Sequence, residues 1–300
     1  MLTEGNNMEQ AMRNKNNRSE YHKRKIALYF KYFFLIIGTL IMLYPILWLF
    51  GASFKSNTEI FKSIWFMPKS FDFTPYIEGW KTSSQYTFGT YFLNSFLIVI
   101  PKVLLTLISC ILTAYGFARF NFPMKKVLFP VMIATLFLPG IVTRVPMYIF
   151  WKNVDLLDTY IPLIANSAFA CDTFFVYMLV QFLRTIPGEL DEAATIDGCN
   201  SFNILIKVLL PILKPTLITV ALFQFMWTFT EFQGPLIYIS SVEKYPVSIA
   251  LRMAMDTTSV DFSWNKNIAM SIIGLIPSII VYFSAQKHFI GGSTAGGIKG

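Results

Sequence analysis

Six long apolar runs dominate this sequence, and the first of them, Tyr32–Phe54, contains no charged residue. A helix needs about 20 mostly apolar residues to cross the hydrocarbon layer of a bilayer, which is roughly 30 Å thick. We therefore interpret the runs as membrane-spanning helices and predict an all-α, polytopic membrane protein. The predicted spans cover residues 30–54, 91–118, 127–150, 160–182, 206–232 and 267–286.

Composition and the placement of proline support the same interpretation. Only 14% of the 300 residues are charged, whereas a typical soluble domain contains about 25%. Five of the prolines inside the apolar runs illustrate this, since each removes a backbone hydrogen bond that a soluble helix could not easily replace. Transmembrane helices tolerate such prolines because neighbouring helices satisfy the freed carbonyls. These prolines are Pro45, Pro101, Pro130, Pro139 and Pro277.

The distribution of Lys and Arg predicts how the chain is oriented. Loops and tails on one side of the predicted membrane hold fifteen of these residues, and those on the other side hold nine. Because cytoplasmic loops carry the excess of positive charge, both termini are predicted to be cytoplasmic. The predicted organisation is a polar, basic tail over residues 1–28, a transmembrane domain over 29–286 with a cytoplasmic loop at 187–202, and a second tail over 287–300.

Several kinds of chemistry lack the residues that they need. A phosphate-binding loop shows a glycine-rich run followed directly by Lys and Ser or Thr, and the sequence has no such run. Three scattered cysteines and two histidines near the termini offer neither a disulfide framework nor a metal site. The net charge of +8 does not gather into a basic face of the kind that binds nucleic acid. We therefore expect a non-catalytic protein without a cofactor, metal ion or nucleic-acid partner of its own.

Three ionisable residues fall within the predicted spans or at their ends: Lys102, Asp172 and Glu231. Such residues are costly in a membrane and are functional candidates by default. Lys102 can snorkel or pair with a neighbour, and Glu231 can lie at the outer mouth of the fifth span, so a structural role is favoured for each. Asp172 is the hardest of the three to explain as a structural residue.

A short helix is predicted in the loop between the fourth and fifth spans. Pro187 and Gly188 end the fourth span, and the acidic residues that follow suit the positive end of a helix dipole. Gly198 permits the left-handed conformation that ends a helix, and Ser201 is a candidate N-cap for the next one. Residues at spacings of three and four predict one common face: Leu190, Ala193, Ala194 and Asp197.

This short helix has two possible roles. Ala193 and Ala194 would let the surface of another protein approach closely, and Glu192 would offer an anchor for a cationic partner. Alternatively, the segment is a capped amphipathic loop that lies on the membrane surface. The residues alone leave both roles open.

At this loop the chain resembles a known family. The matching residues are Glu192, Ala193, Ala194, Gly198, Val208, Leu210 and Pro211. Their spacing is similar to that of the EAA motif, the cytoplasmic signature of permease subunits in binding-protein-dependent ABC importers. Several residues fixed over a twenty-residue window make this a specific match, in contrast to a lone short motif.

Further matches narrow the resemblance to the carbohydrate-importer permeases of the maltose type. The closing segment, Thr294–Gly300, resembles the C-terminal signature of the second, shorter permease of such pairs. The outer-loop and second-span matches are Ser53 to Lys55, Glu59 to Phe61, Pro68, Tyr76, Trp80, Asn94, Ser95, Ala114, Tyr115 and Phe117 to Arg119.

The resemblance implies an architecture, partners and a location. The fold would be that of a type I ABC-importer permease with about six transmembrane helices in the bacterial inner membrane. The partners would be a homologous second permease, two ATP-binding cassette ATPase subunits and an extracytoplasmic sugar-binding protein. ATP and Mg would be bound by the ATPase subunits, so this chain would be a non-catalytic subunit.

The resemblance also implies roles for particular residues. The residues that would couple to the ATPase are Glu189, Leu190, Glu192, Ala193, Ala194, Asp197 and Gly198. The tail residues that would contact the ATPase are Thr294, Ala295, Gly296, Gly297 and Lys299. The outer loop at about 234–267 would face the binding protein, and the candidates near its beginning are Tyr238, Ser240, Ser241 and Glu243. The candidates for the translocation path are Asp172, Trp227 and Glu231.

Three alternatives remain open. The same architecture could import another cargo, such as a peptide or a phosphorylated polyol. A self-sufficient secondary transporter or channel could form by oligomerisation of six-helix subunits, in which case the EAA spacing would be a coincidence. A membrane-bound enzyme would need a convergent set of His, Cys or paired acidic residues, which the sequence does not show. The sequence does not specify which sugar would be carried.

Overall fold

The computed structural model describes the backbone of residues 2–81, 86–255 and 263–295, and the side chains of residues 24–81, 86–255 and 263–287. All regular structure in these ranges is helical, which confirms the predicted all-α class. The helices are α1 (Leu2–Ala52), α2 (Asn57–Lys62), α3 (Thr74–Trp80), α4 (Phe88–Arg119), α5 (Lys125–Ala134), α6 (Gly140–Asn153), α7 (Ile161–Ile164), α8 (Thr173–Thr185), α9 (Glu189–Ile196), α10 (Ser201–Asn203), α11 (Leu210–Phe229), α12 (Gln233–Tyr238), α13 (Val247–Ala254) and α14 (Trp264–Ala295).

The described helices include enough apolar length for five or six membrane crossings. The bent pair Lys125–Phe137 and Gly140–Asn153 makes the sixth when it is taken as one span. The five single candidates are Arg24–Ala52, Phe88–Arg119, Ile161–Thr185, Ser201–Phe229 and Trp264–Lys287. This number agrees with the predicted polytopic architecture.

The chain forms two compact units, residues 1–75 and 76–300. In the first unit, α1 begins at Leu2, within the predicted N-terminal tail, whose side chains at residues 1–23 lie outside the described part of the chain. The apolar side chains of α1 point outwards along its length, and Phe33 and Met42 are 58% and 79% exposed. Such a surface matches the surroundings that a bilayer provides.

The segment after α1 folds back onto the end of that helix. The Lys55 side chain is fully buried, and its ammonium group donates hydrogen bonds to the carbonyls of Ser63 and Trp65. The Tyr44 hydroxyl donates to the Ile64 carbonyl at 2.9 Å. Backbone carbonyls therefore satisfy the charge of a buried lysine, which would otherwise be very costly.

In the second unit, the third predicted span is not one straight helix. α5 continues into a 3₁₀ turn at Thr135–Phe137, and α6 then begins at Gly140 with its axis bent by 99°. Leu138 is extended because it precedes Pro139, which disfavours the helical conformation of the residue before it. The predicted third span, residues 127–150, therefore consists of two helices with a sharp bend between them.

The fourth predicted span, residues 160–182, is also interrupted. α7 passes into a 3₁₀ segment, Ala165–Phe169, and Ala170 is left-handed with φ of 53°. α8 begins only at Thr173, with Asp172 at its N-cap position. The break places a carboxylate at a helix N-terminus, where negative charge is favourable.

The main hydrophobic core of the second unit joins α4, α8, α9 and α11. Its fully buried members include Leu179, Leu183, Leu209 and Leu213. A π-helical stretch, Ile204–Leu209, leads directly into α11. This core fixes the short helix α9 to the C-terminal end of α4.

Candidate functional site

The helix α9 has most of the local features that the sequence predicts. Its first turn carries the three acidic residues Glu189, Asp191 and Glu192. Gly198 adopts φ of 82°, which confirms the predicted left-handed residue after the helix. The predicted N-cap at Ser201 is wrong, because the Asn200 side chain accepts the hydrogen bond from the Asn203 amide at 2.8 Å.

The last turns of α4 hold α9 and both of its flanks. The Arg119 Nε lies 2.7 Å from the Asp191 Oδ2, and Arg119 Nη2 donates to the Ile186 carbonyl at 2.9 Å. One turn earlier, the Tyr115 hydroxyl donates to the Ser201 carbonyl at 3.0 Å. We call these contacts the α4–α9 link. Sequence reasoning missed it because Arg119 and Asp191 are far apart along the chain, and only their opposite charges hint at it.

The outward face of α9 is both apolar and acidic. Ile196 is 87% exposed, and Leu190 and Glu192 are also exposed. The remaining exposed residues of the predicted coupling set are Glu189, Ala193, Asp197 and Gly198. Ala194 is buried in the main core, so the expectation that both alanines would face another protein is wrong for Ala194. An inward Ala194 follows from the packing of α9 against the core.

A carboxylate clamp fixes the predicted binding-protein-facing loop. The Asp158 carboxylate accepts hydrogen bonds from the backbone amides of Ser240 and Ser241, both at 2.9 Å. It also accepts from the Ser241 hydroxyl at 2.5 Å and pairs with the Lys244 ammonium at 2.9 Å. Burial alone would raise the pKa of Asp158, but the hydrogen bonds from Ser241, Lys244 and Ser240 together hold it well below its usual value.

The N-terminal end of α4 fixes the other half of this loop. Asn94 Nδ2 donates to the carbonyls of Glu243 at 2.6 Å and Tyr245 at 3.0 Å. The Val247 amide donates to the Ser95 hydroxyl at 2.9 Å. Asn94 and Ser95, which the sequence singled out as part of an outer-loop pattern, are therefore buried anchors of the loop.

The four loop candidates differ in what they present to the surface. Glu243 is exposed, and its carboxylate accepts a hydrogen bond from the Tyr86 hydroxyl at 3.2 Å. The nearby negative charge raises the pKa of Tyr86. The Tyr238 ring stacks on Tyr148 with centroids 6.5 Å apart, and burial raises the pKa of Tyr238. Ser240 and Ser241 contribute mainly to the clamp.

Uncharged hydrogen-bond donors contact the Asp172 carboxylate. The Thr106 and Ser167 hydroxyls each donate to the Asp172 Oδ2 at 3.0 Å. The Gln224 amide group approaches the same oxygen at 3.5 Å. These contacts join α4, the broken fourth span and α11.

Neither of the other two path candidates is hydrogen-bonded to Asp172 within the described part of the chain. The Trp227 ring stacks on Phe175 with centroids 5.2 Å apart, and half of its surface is exposed. The Glu231 Oε1 accepts from the Gly234 amide at 3.0 Å and lies 3.9 Å from the Arg144 guanidinium. The predicted ATPase-contacting tail lies outside the described residues, apart from the helical backbone of Thr294 and Ala295 at the end of α14.

A comparison with protein families decides the identity of the chain. Residues 106–290 match the family described as the inner membrane component of binding-protein-dependent transport systems. The chain belongs to this family. The matched region contains the α4–α9 link, the carboxylate clamp and the interrupted fourth span.

Individual relatives support this assignment over most of the chain. A putative ABC transporter permease from Caldicellulosiruptor is 31% identical over 275 residues, which cover 90% of this chain and 96% of the relative. The diacetylchitobiose uptake system permease NgcG of Streptomyces coelicolor is 29% identical and covers 87% of this chain and 86% of its own length. A crystal structure of a bacterial ABC transporter involved in import of the acidic polysaccharide alginate matches with a TM-score of 0.76 at 25% identity, over 88% of this chain and 97% of that one.

Membership of this permease family settles several expectations. The relatives are membrane components of transport systems, so the chain is a multi-pass transport permease of the inner membrane and not an enzyme. The structural match confirms the ABC-importer permease fold. The family description itself implies that such a permease works with a binding protein.

Proposed function

We propose that this permease is one membrane subunit of an ATP-driven, binding-protein-dependent importer of sugars, and that it forms the translocation path with a homologous permease. Two ATPase subunits would bind the ATP and Mg, and an extracytoplasmic sugar-binding protein would deliver the cargo. The observation that carries the proposal is the geometry of α9, which presents Ile196, Glu192 and Glu189 outwards while its inner side is fixed to α4.

The outward face of α9 suits a cleft in an ATPase subunit. An exposed apolar residue surrounded by acidic ones can fill a pocket and pair with cationic groups at its rim. Because α9 would contact a cytoplasmic ATPase, this end of the bundle would be cytoplasmic. The excess of Lys and Arg on the loops at this side supports the same orientation.

The α4–α9 link would transmit the motion of the ATPase. When ATP binding closes the ATPase dimer, α9 would be displaced as a rigid body, and the link would carry that displacement to α4. Such a motion would be a rigid-body switch, in which a packed interface moves between two discrete arrangements. The clamped loop at residues 238–245 lies at the opposite, N-terminal end of α4, where it would face the binding protein.

A carbohydrate cargo is supported by the relatives. NgcG is named for uptake of diacetylchitobiose, and the structural match is to a transporter involved in import of alginate. The outer-loop and tail matches to carbohydrate-importer permeases point in the same direction. The identity and length of the sugar are left to the experiment.

Copurification tests the proposed contact with the ATPase. The chain is expressed with its genomically adjacent permease and a candidate sugar-importer ATPase, and the amount of bound ATPase is compared among variants. Ile196→Asp and Glu192→Ala should each lower the retained ATPase severalfold, because both act on the outward face of α9. Ile196→Val, which keeps an apolar side chain there, should retain it. If Ile196→Asp retains the ATPase as wild type does, α9 is not the docking element.

A further inference from the structure

The second unit contains a small cavity with several polar groups in its lining. It lies among α4, α7, the end of α11 and the segments that flank the clamped loop. Its polar lining residues are Ser95, Lys102, Thr228 and Glu231, and its apolar walls include Ile98 and Leu163. Its volume is about 20 Å³, which is room for one or two oxygen-sized groups.

Thr228 contributes a buried hydroxyl to the lining of this cavity. The residue is 8% exposed, and its Oγ1 is buried without a hydrogen-bond partner among the described residues. A threonine in a helix usually donates to the carbonyl four residues earlier, as Thr219 in the same helix does to Pro215 at 3.0 Å. A buried hydroxyl without a partner is costly, so a ligand that pairs with Thr228 would relieve that cost.

Lys102 contributes a positive charge that has no ion-pair partner among the described residues. It is half-buried within α4, where no oxygen of the described residues lies within ion-pair or hydrogen-bond distance of its ammonium group. An unpaired cation at this position in a membrane span is unfavourable. A polar ligand in the cavity would offer it an acceptor.

Ser95 and Glu231 complete the polar lining. The Ser95 oxygen accepts from the Val247 amide, which leaves its hydroxyl proton to donate. The Glu231 Oε1 accepts from the Gly234 amide, while its Oε2 accepts no hydrogen bond within the described ranges. The cavity therefore offers three donor groups and one acceptor.

We propose that this cavity is a subsite for the hydroxyl-bearing edge of a neutral sugar unit, so that this subunit itself contacts the cargo during import. Adjacent hydroxyls of a sugar ring each donate and accept, which matches the mixture of donor and acceptor groups. The lining contains one cation and one carboxylate and therefore has no net charge of its own, which favours a neutral unit over an anionic one. Pro235 and Pro246, which flank the clamped loop, also line the cavity, so cargo released at that loop would enter beside it.

The test uses the complete transporter in proteoliposomes and rests on the proposed function. The cargo panel is maltose, cellobiose, diacetylchitobiose and digalacturonate, each supplied with the binding protein encoded beside the permease. Uptake and ATP hydrolysis are measured in the same vesicles for wild type, Thr228→Val, Lys102→Met and the matched control Thr219→Val. Thermal unfolding of each purified complex reports whether the variant is folded.

If the cavity is a sugar subsite, substitutions of its polar residues should lower transport without lowering stability. Thr228→Val should lower the uptake of a neutral sugar by about fivefold, the effect of one hydrogen bond, and Lys102→Met should lower it further. Neither variant should lower the unfolding temperature, because each removes an unpaired polar group. ATP hydrolysis should persist, and Thr219→Val should import at the wild-type rate.

Two outcomes would overturn the subsite. If Thr228→Val and Lys102→Met import the neutral sugar as wild type does, the cavity holds water only. If wild type imports digalacturonate alone from the panel, the neutral assignment is wrong. A wild-type transporter that hydrolyses no ATP in response to any loaded binding protein contradicts the proposed function instead, so the two failures are distinguishable.

Discussion

At the residue scale, Gly51 shows how a single missing side chain shapes the first unit. A Cβ atom at this position would lie 1.7 Å from the Phe66 carbonyl oxygen, whereas a Cβ at Gly38 in the same helix would meet nothing within 4 Å. The chain after α1 can fold back onto the helix only because residue 51 has no side chain.

Replacement of these two glycines by alanine should therefore change the stability of the first unit in opposite directions. Gly51→Ala should force the backbone apart and destabilise the first unit by about 1–3 kcal/mol, as overpacking does. Gly38→Ala should stabilise the helix by up to about 1 kcal/mol, because alanine is the better helix former. The thermal unfolding midpoint in detergent and the rate of proteolysis within residues 63–75 measure both effects. Equal behaviour of the two variants would contradict the close approach.

Asp158 gives a second prediction, which concerns pH. Because its pKa is lowered in the folded protein, the clamp contributes stability above the unfolded pKa of about 3.9. This contribution is lost as the pH falls through the lower folded-state value. Between pH 5 and 8 the protection of the Ser240 and Ser241 amides should therefore not depend on Asp158 titration.

Removal of the Asp158 charge should act at neutral pH. Asp158→Asn should speed hydrogen exchange of the Ser240 and Ser241 amides by about tenfold, since hydrogen bonds to charged groups contribute about 1.5–3 kcal/mol. Asp155→Asn is the matched control, because Asp155 has a positive φ of 54°, close to the 58° of Asp158, and is exposed. Unchanged exchange in Asp158→Asn would show that the carboxylate does not hold the loop.

At the element scale, the α4–α9 link predicts a coupling energy. The side chains of Arg119 and Asp191 are only 15% and 21% exposed, so their pairing should be stronger than that of a surface pair. A double-mutant cycle with Arg119→Met and Asp191→Asn should give a coupling of about 1–3 kcal/mol. The exposed pair Lys266 and Glu78, at 34% and 51%, serves as control and should give less than about 1 kcal/mol.

The cycle also has a functional readout. Arg119→Met should leave the ATPase bound, because the outward face of α9 is unchanged, but it should lower the amount of cargo imported per ATP hydrolysed. Loss of ATPase binding in this variant would indicate that the pair only keeps α9 folded. A cycle in which Arg119 and Asp191 show no coupling would contradict the link itself.

Elements were predictable from the sequence where one physical cause acts alone. The bilayer requires long apolar helices, so the number of spans and the all-α class could be predicted. The break before Asp172 could not, because its hydrogen-bond donors Thr106 and Gln224 lie far away in the sequence. The bend between α5 and α6 did leave a signal, since Pro139 stands at that point, but a proline inside a span is compatible with either a kink or a straight helix.

Some features of the candidate site were likewise predictable from the sequence, and others were not. The short acidic helix, its ending at Gly198 and its spacing could be predicted from local chemistry. The orientation of α9 could not, because a helix with apolar and acidic residues on several sides acquires an inner face only when it packs. Burial of Ala194 and pairing of Asp191 are consequences of the position of α4, which no local pattern encodes. The clamp at Asp158 likewise joins residues more than 80 positions apart.

At the scale of the whole molecule, α9 and the clamped loop contact opposite ends of α4. The C-terminal turns of α4 hold α9 through Arg119 and Tyr115, and its N-terminal turns hold the clamped loop through Asn94 and Ser95. α4 has 32 residues, which is about 48 Å at 1.5 Å per residue. A displacement of α9 by an ATPase would therefore reach the loop that we propose to face the binding protein through one continuous helix.

The most direct test of ATP-driven import is uptake into proteoliposomes that contain this chain, its partner permease and the ATPase, with loaded binding protein outside and ATP inside. We expect sugar uptake that requires ATP and binding protein, persists when ion gradients are dissipated, and is lost with Ile196→Asp. Uptake by the permease chains alone, driven by an ion gradient without ATPase or binding protein, would contradict ATP-driven import and would make Asp172 the first residue to examine.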